Sequence, residues 1–428
     1  MSIKYKISNL LQKNSTIYII SNIIFSFSTY FVMLIVPYYL NINELGNFMA
    51  TYQILLLYIL IFELGLSISY IRYYKLYESI KIINSFFQIF IILILMLIPF
   101  TVFGDFINNL VNIDKTNINS IILYFSTLSL LCWNLLKSVL LSLEKFYFIL
   151  IFSIIILIIR ILLLKIISMD SDLIHINNLF LFLFIIPFIP VVLYLIKYHF
   201  TNIKQFLKIK IGHNNTNFFK IYKTRIKKYF FFSSLSFISS LIYGYTLSII
   251  IIKLLELNEK TKLSEIGYGM TFIGIVSIFV ISIRNFYISK FKFNKKIEII
   301  NFLNFINSLK IKTFILSIII CITLSSFIYL IKPDYLSNYT IAYTILIIFS
   351  YILISYFSMY TLLAKVFNEN FLEIKINLIR CIGVYTIVYF YIEKNFDITL
   401  IAVYSFIPLM EYIYSRILIS KINLKKII

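Results

Sequence analysis

Six charged residues lie inside long apolar stretches, and they are where this sequence could do chemistry. Arg160 sits in SIIILIIRILLLK and Glu411 in SFIPLMEYIYSR, while Glu63, Lys137, Arg284 and Arg380 are embedded in comparable surroundings. A charge at the centre of a membrane-spanning helix costs roughly 2.5–3.5 kcal/mol on insertion scales, which makes each of them a default site candidate. A guanidinium presents planar, permanently charged donors that suit diphosphate oxygens and sugar hydroxyls. Arg160, Arg284 and Arg380, with Lys137, are therefore candidates for lining a water-filled cavity that accepts an anionic, hydroxyl-rich group. Glu63 and Glu411 are candidates for coupling to protons or sodium. Two plainer roles stay open. Lys137, Arg380 and Arg416 can snorkel to an interface, and Arg160 or Arg284 can form a structural pair with Glu63 or Glu411.

The elements that must position these charges are membrane helices. Of 428 residues, 61% are hydrophobic and 13% charged. Residues 82–103 run through 22 positions without a charge. About 20 such residues span the ~30 Å hydrocarbon core as a helix, and uninterrupted runs exclude the alternating pattern of a barrel. The runs predict an all-α integral membrane protein with about twelve transmembrane helices, near 15–39, 48–71, 82–103, 119–143, 146–167, 177–199, 229–252, 267–289, 313–331, 340–363, 376–391 and 397–420. The first run follows lysines but continues without a small-residue cleavage site, so it reads as a membrane helix and not a signal peptide.

The net charge of +21 belongs to this arrangement. The basic residues flank apolar runs instead of clustering on a soluble surface, so no nucleic-acid partner is implied. Ile, Lys, Asn, Phe and Tyr dominate the usage, a bias that AT-rich coding produces. Bias of that kind raises both sides of the membrane together. Yet the side shared by the termini and the even-numbered loops holds about 28 basic residues, and the other side about seven. Both termini are expected to be cytoplasmic, in a multi-pass protein of a bacterial plasma membrane. Cys132, Cys321 and Cys381 lie far apart within apolar runs, and His175, His199 and His213 share no ligand spacing. They imply neither a disulfide framework nor a metal site, and no cofactor motif is evident.

The longest polar stretch, residues 201–228, is basic and divides the chain into residues 1–200 and 229–428, each with six expected spans. It reads as an orienting connector or as a surface for anionic lipid or a partner enzyme. The halves share a faint repeat. Glu44-Leu45-Gly46-Asn47-Phe48-Met49 follows the first span, and Glu265-Ile266-Gly267-Tyr268-Gly269-Met270 follows the seventh. Asn43 and Ser264 can cap the helices that follow. Equivalent placement predicts two six-helix lobes related by a parallel pseudo-twofold axis. Of six prolines, Pro37, Pro99, Pro187, Pro190 and Pro408 fall within expected spans and predict kinks. Trp133 is the sole tryptophan.

Residues 41–74, NINELGNFMATYQILLLYILIFELGLSISYIRYY, resemble the second-helix region of bacterial polysaccharide repeat-unit exporters. These include the O-antigen flippases of the multidrug/oligosaccharidyl-lipid/polysaccharide exporter superfamily. Glu44 and Gly46 opening the helix, Glu63-Leu64-Gly65-Leu66 and the closing Arg72-Tyr73-Tyr74 carry the likeness. The layout of two six-helix lobes with a basic mid-chain loop agrees with it. The resemblance implies a flippase of undecaprenyl-diphosphate-linked oligosaccharide, acting after glycosyltransferases and before a polysaccharide polymerase. Its head group would cross through a cationic cavity while the prenyl tail stays in membrane lipid. The competing expectations are an O-antigen polymerase and a multidrug exporter of the same superfamily. The outer loops are short and poor in charge, and no Gly-rich phosphate loop is present, so neither catalysis nor direct use of ATP is expected.

Overall fold

Asn41 starts the second helix by a reciprocal arrangement. Its side-chain oxygen accepts from the Glu44 N–H at 2.9 Å, and its own N–H donates to the Glu44 carboxylate at 3.2 Å. This capping box serves two of the four donors that a helix N-terminus leaves open. The cap is thus Asn41 and not Asn43, and the helix opens at Ile42, well before the expected residue 48. It ends where Leu64 and Gly65 turn left-handed, at φ 51° and 65°. Its counterpart in the second half behaves alike: a helix runs Lys260–Thr271, beginning ahead of the expected 267. Ser264 lies inside that helix, its hydroxyl donating to the Thr261 carbonyl.

The computed structural model describes residues 3–67, 120–169, 176–194, 216–271, 336–358, 360 and 369–427, with single positions between 307 and 330. The described elements are helical: α1 Ile3–Ile35, α2 Ile42–Glu63, α3 Ser120–Ser142, α4 Phe146–Met169, α5 Ile176–Ile185, α6 Thr216–Glu256, α7 Lys260–Thr271, α8 Tyr339–Ser358, α9 Asn370–Tyr391 and α10 Phe396–Ile427. Eight segments among the described residues are long and apolar enough to cross a membrane. α9 occupies the eleventh expected span but is not among the eight. The expected spans 82–103, most of 267–289 and most of 313–331 lie outside the described residues, as do Arg284, Pro99, Cys321 and the three histidines. α6 begins at Thr216, within the stretch 201–228.

The chain is an all-α membrane protein built from two similar halves, and the same helix neighbours recur in each. α1 packs on α4, α2 on α3, and α3 on α5; in the second half α6 packs on α9, α7 on α8, and α8 on α10. The halves meet where α2 lies against α6 and α7. Gly46 and Gly267, at matching positions of the repeat, make that approach possible. A Cβ at Gly46 would stand 2.5 Å from the Lys260 carbonyl oxygen. One at Gly267 would meet the Met49 side chain. One apolar core runs through the seam, joining Phe48, Leu55, Ile251, Leu263, Tyr268 and Val384.

The outer helices are sided. On α4, Ile149, Phe152, Ile156, Arg160 and Leu164 are buried, whereas Ile151, Ile154, Ile158, Ile161 and Leu162 are exposed. On α9, Ile376, Arg380, Val384 and Val388 are buried while Ile379, Ile382 and Phe390 are exposed. Spacings of three and four place each set on one face of its helix, and the exposed apolar faces are those a lipid bilayer covers.

Candidate functional site

The prolines prepare the ground for Arg160. Pro187 has no N–H, so the carbonyl four residues earlier, Leu183, loses its helical donor. α5 ends at Ile185, and helix resumes at residue 188. The carbonyl of Ile186, deprived in the same way by Pro190, accepts from the Ile189 N–H at 3.0 Å. The Ile185 carbonyl accepts from the Ser129 hydroxyl at 3.1 Å. The Leu183 carbonyl accepts from Arg160, through Nε at 3.2 Å and Nη2 at 2.9 Å. Nη1 of the same guanidinium donates to the hydroxyls of Ser28 at 2.6 Å and Thr29 at 2.7 Å. Arg160, 2% exposed, therefore ties α4 to α1 and to the broken end of α5. Its carbon Cζ stands 5.4 Å from the centre of the Phe25 ring.

Three of the expected site residues come together here. Lys137, half-buried on α3, places Nζ 5.0 Å from the centre of Phe25 and 5.8 Å from that of Trp133. The Glu63 carboxylate at the end of α2 acts on Lys137 electrostatically. The rings of Phe25 and Trp133 lie 5.3 Å apart, tilted by 30°, so the two cations and the sole tryptophan share one aromatic cluster. Cation–π contacts are worth about 0.5–2 kcal/mol depending on desolvation.

In the second half the structure joins Arg380 to Glu411. Nη2 of Arg380 donates to the Glu411 carboxylate at 2.5 Å, with both side chains buried. Nη1 donates to Asn377 Oδ1 at 3.2 Å, and the Asn377 amide donates to the carbonyl and hydroxyl of Ser239 at 3.0 and 3.1 Å. The Arg380 guanidinium lies 5.1 Å from the centre of the Tyr243 ring. α9 is thereby tied to α6 and α10. Pro408, one turn before Glu411, does not end α10, which stays helical to Ile427.

The two sites use equivalent helices. In each half an arginine, Arg160 on α4 or Arg380 on α9, sits on an aromatic ring of α1 or α6 and reaches α5 or α10. Only in the second half is the charge met by a carboxylate among the described residues. Sequence reasoning missed Ser28, Thr29, Phe25, Asn377, Ser239 and Tyr243. Ser28 and Thr29 carried a signal, being adjacent hydroxyls within an apolar span.

No family model matches the sequence, and no curated protein matches it. Solved structures do match in shape. A chain named protein A superposes with a TM-score of 0.68 at 13% identity, covering 97% of this chain and 95% of its own. A MOP superfamily transporter from Pyrococcus furiosus gives a TM-score of 0.54 at 10% identity, over 97% and 96%. The MATE multidrug transporter DinF-BH gives 0.54 at 13%, over 97% and 95%. The chain has the fold of MOP-superfamily transporters. Among the described residues, the hydrogen bonds of Arg160 stay within the first half and those of Arg380 within the second.

Proposed function

We propose that this chain is a flippase that moves undecaprenyl-diphosphate-linked oligosaccharide repeat units, of O-antigen or capsule type, from the cytoplasmic to the outer leaflet of a bacterial plasma membrane. The observation that carries the reading is the sign of the intramembrane charge. Lys137, Arg160, Arg284 and Arg380 stand against Glu63 and Glu411. A net cationic interior stabilises an anionic head group that cannot enter hydrocarbon, whereas a carrier of cationic drugs needs the opposite balance. The residue-level likeness of positions 41–74 to repeat-unit exporters supports the same cargo.

The fold supplies a means. Two similar halves in contact through α2, α6 and α7 can rock about that seam, exposing a central site to each side in turn. Glu63 and Glu411 are the candidates for coupling to protons or sodium. Glycosyltransferases would supply the lipid-linked unit and a polymerase would consume it. The likeness to transporter folds supports a carrier over the polymerase itself.

Deleting the gene and locating the unpolymerised lipid-linked unit tests the reading. Accumulation on the cytoplasmic leaflet is the expected result. Single units accumulating on the outer leaflet would show that translocation continues without this protein and would favour a polymerase.

A further inference from the structure

The halves approach closely at a third glycine. Gly244 is buried within α6, twelve residues before the end of that helix at Glu256. Glycine inside a helix costs about 0.5–1 kcal/mol against alanine, so its presence there needs a reason. The reason is α2. A Cβ at Gly244 would take the place of the Leu60 methyl Cδ1 and stand 3.5 Å from Leu57 Cδ2, so both leucines rest on bare backbone of α6. This contact lies far from those at Gly46 and Gly267. Leu60 is fourteen residues beyond Gly46 on α2, about 21 Å along the helix axis. α2 is unbroken between them, and it turns left-handed at Leu64 and Gly65 just past the contact. It is therefore a straight arm with Leu60 near one end and its approach to α7 at the other.

The two ends are built for different movements. At Gly46 backbone faces the Lys260 backbone, so relative motion there can only part the two helices. At Gly244 a flexible side chain bears on a surface that has no side chain of its own. Ridges set into grooves resist tilting, whereas a leucine on a glycine can tilt and stay in contact. A tilt of about 15° over that arm parts the far end by about 5 Å. We propose that the halves rock on Leu57 and Leu60 against Gly244, and that this contact stays shut through the cycle while those at Gly46 and Gly267 open and close. The proposal rests on the rocking motion of the flippase reading and not on its cargo.

A disulfide across the pivot tests it. In a full-length variant lacking Cys132, Cys321 and Cys381, Leu60→Cys is combined with Gly244→Cys, the shortened side chain vacating the space that the new one needs. Met49 reports the far end: it is 1% exposed and lies against Gly267, so peroxide reaches its sulfur when α2 and α7 part. In lipid nanodiscs the bridge should form, and Met49 should become sulfoxide at a rate within about threefold of the cysteine-free parent. Surface polysaccharide export should persist in cells with the bridge oxidised. If the pair lowers the unfolding midpoint, Leu57→Cys with Gly244→Cys and Leu60→Ala replaces it. Failure to bridge, protection of Met49 by about tenfold or more, or an export loss that a reductant reverses would each overturn the pivot. So would a parent in which peroxide never reaches Met49. If deleting the gene leaves export unchanged, the cargo reading falls, and Met49 oxidation alone decides the pivot.

Discussion

Arg160 supplies the hydrogen bonds that Pro187 withholds. The carbonyl of Leu183 has no helical donor because residue 187 is proline, and two N–H groups of Arg160 reach it from α4 at 3.2 and 2.9 Å. A buried carbonyl left unserved costs about 1–3 kcal/mol, and the Ser28 and Thr29 hydroxyls also lose a donor when Arg160 is removed. Arg160→Met should therefore lower the thermal unfolding midpoint markedly. Pro187→Ala restores an N–H at the end of α5, so the Arg160→Met penalty should shrink in its presence by about 1 kcal/mol. Strictly additive effects in that double-mutant cycle would show that the clasp does not depend on the proline.

The Arg380–Glu411 pair should respond differently, because both its members are charged and buried. Removing one partner of such a pair costs about 3–5 kcal/mol, since it strands the other charge, whereas replacing both with apolar side chains is often neutral or stabilising. Glu411→Gln or Arg380→Met alone should sharply reduce folded protein in the membrane. The double variant Arg380→Met with Glu411→Met should restore it. Export of surface polysaccharide then separates the roles: a stable double variant without export makes the pair part of the transport cycle, and one with full export makes it structural.

How much of this was legible in the sequence depended on whether a feature is local. The described helices follow from apolar runs, which a short window detects. The starts of α2 and α7 fall ahead of the apolar runs, in polar first turns, so Asn43 and Ser264 read as caps where the structure places them inside the helices. Pro187 was legible as a break, but not as the source of an acceptor for Arg160. Arg160 and Arg380 were legible as costly charges. Their place on the buried stripe was hidden, because in α4 the lipid-facing neighbours are as apolar as the core-facing ones. The partner of Glu411 lies 31 residues away on another helix, and the sequence pointed to Arg160 or Arg284 instead. Where Arg284 lies relative to these clusters falls outside the described residues.

The seam between the halves should tolerate no bulk at Gly46 or Gly267. A Cβ at Gly46 would stand 2.5 Å from a backbone oxygen, which cannot swing aside as a side chain can. Overpacking of that kind costs about 1–3 kcal/mol and pushes the elements apart. Gly46→Val should reduce export more than it reduces the amount of folded protein, because it acts where the halves must move against each other. Gly46→Ala should show the same effect more weakly. Equal losses of export and folded protein in both variants would mean that the contact serves folding alone.

The direction of transport rests on which face of the membrane each end of the seam occupies. Basic residues set orientation through loops near the ends of the spans, and the expected spans put about 28 on one side and about seven on the other. The stretch containing His213 is expected on the rich side. The turn at Asn258, which takes φ 58° between α6 and α7, is expected on the poor side. In a variant lacking Cys132, Cys321 and Cys381, a cysteine placed at residue 258 should react with a membrane-impermeant maleimide in intact cells. One placed at residue 213 should react only after the membrane is opened. Such labelling would put the capped start of α2, the start of α7 and the Gly46 contact at the outer surface, as expected for a closure that opens to release cargo outward. The reverse pattern would invert the molecule. The Gly46 contact would then close the cytoplasmic side, and a route from cytoplasmic to outer leaflet would have to begin at the contact proposed here to end it.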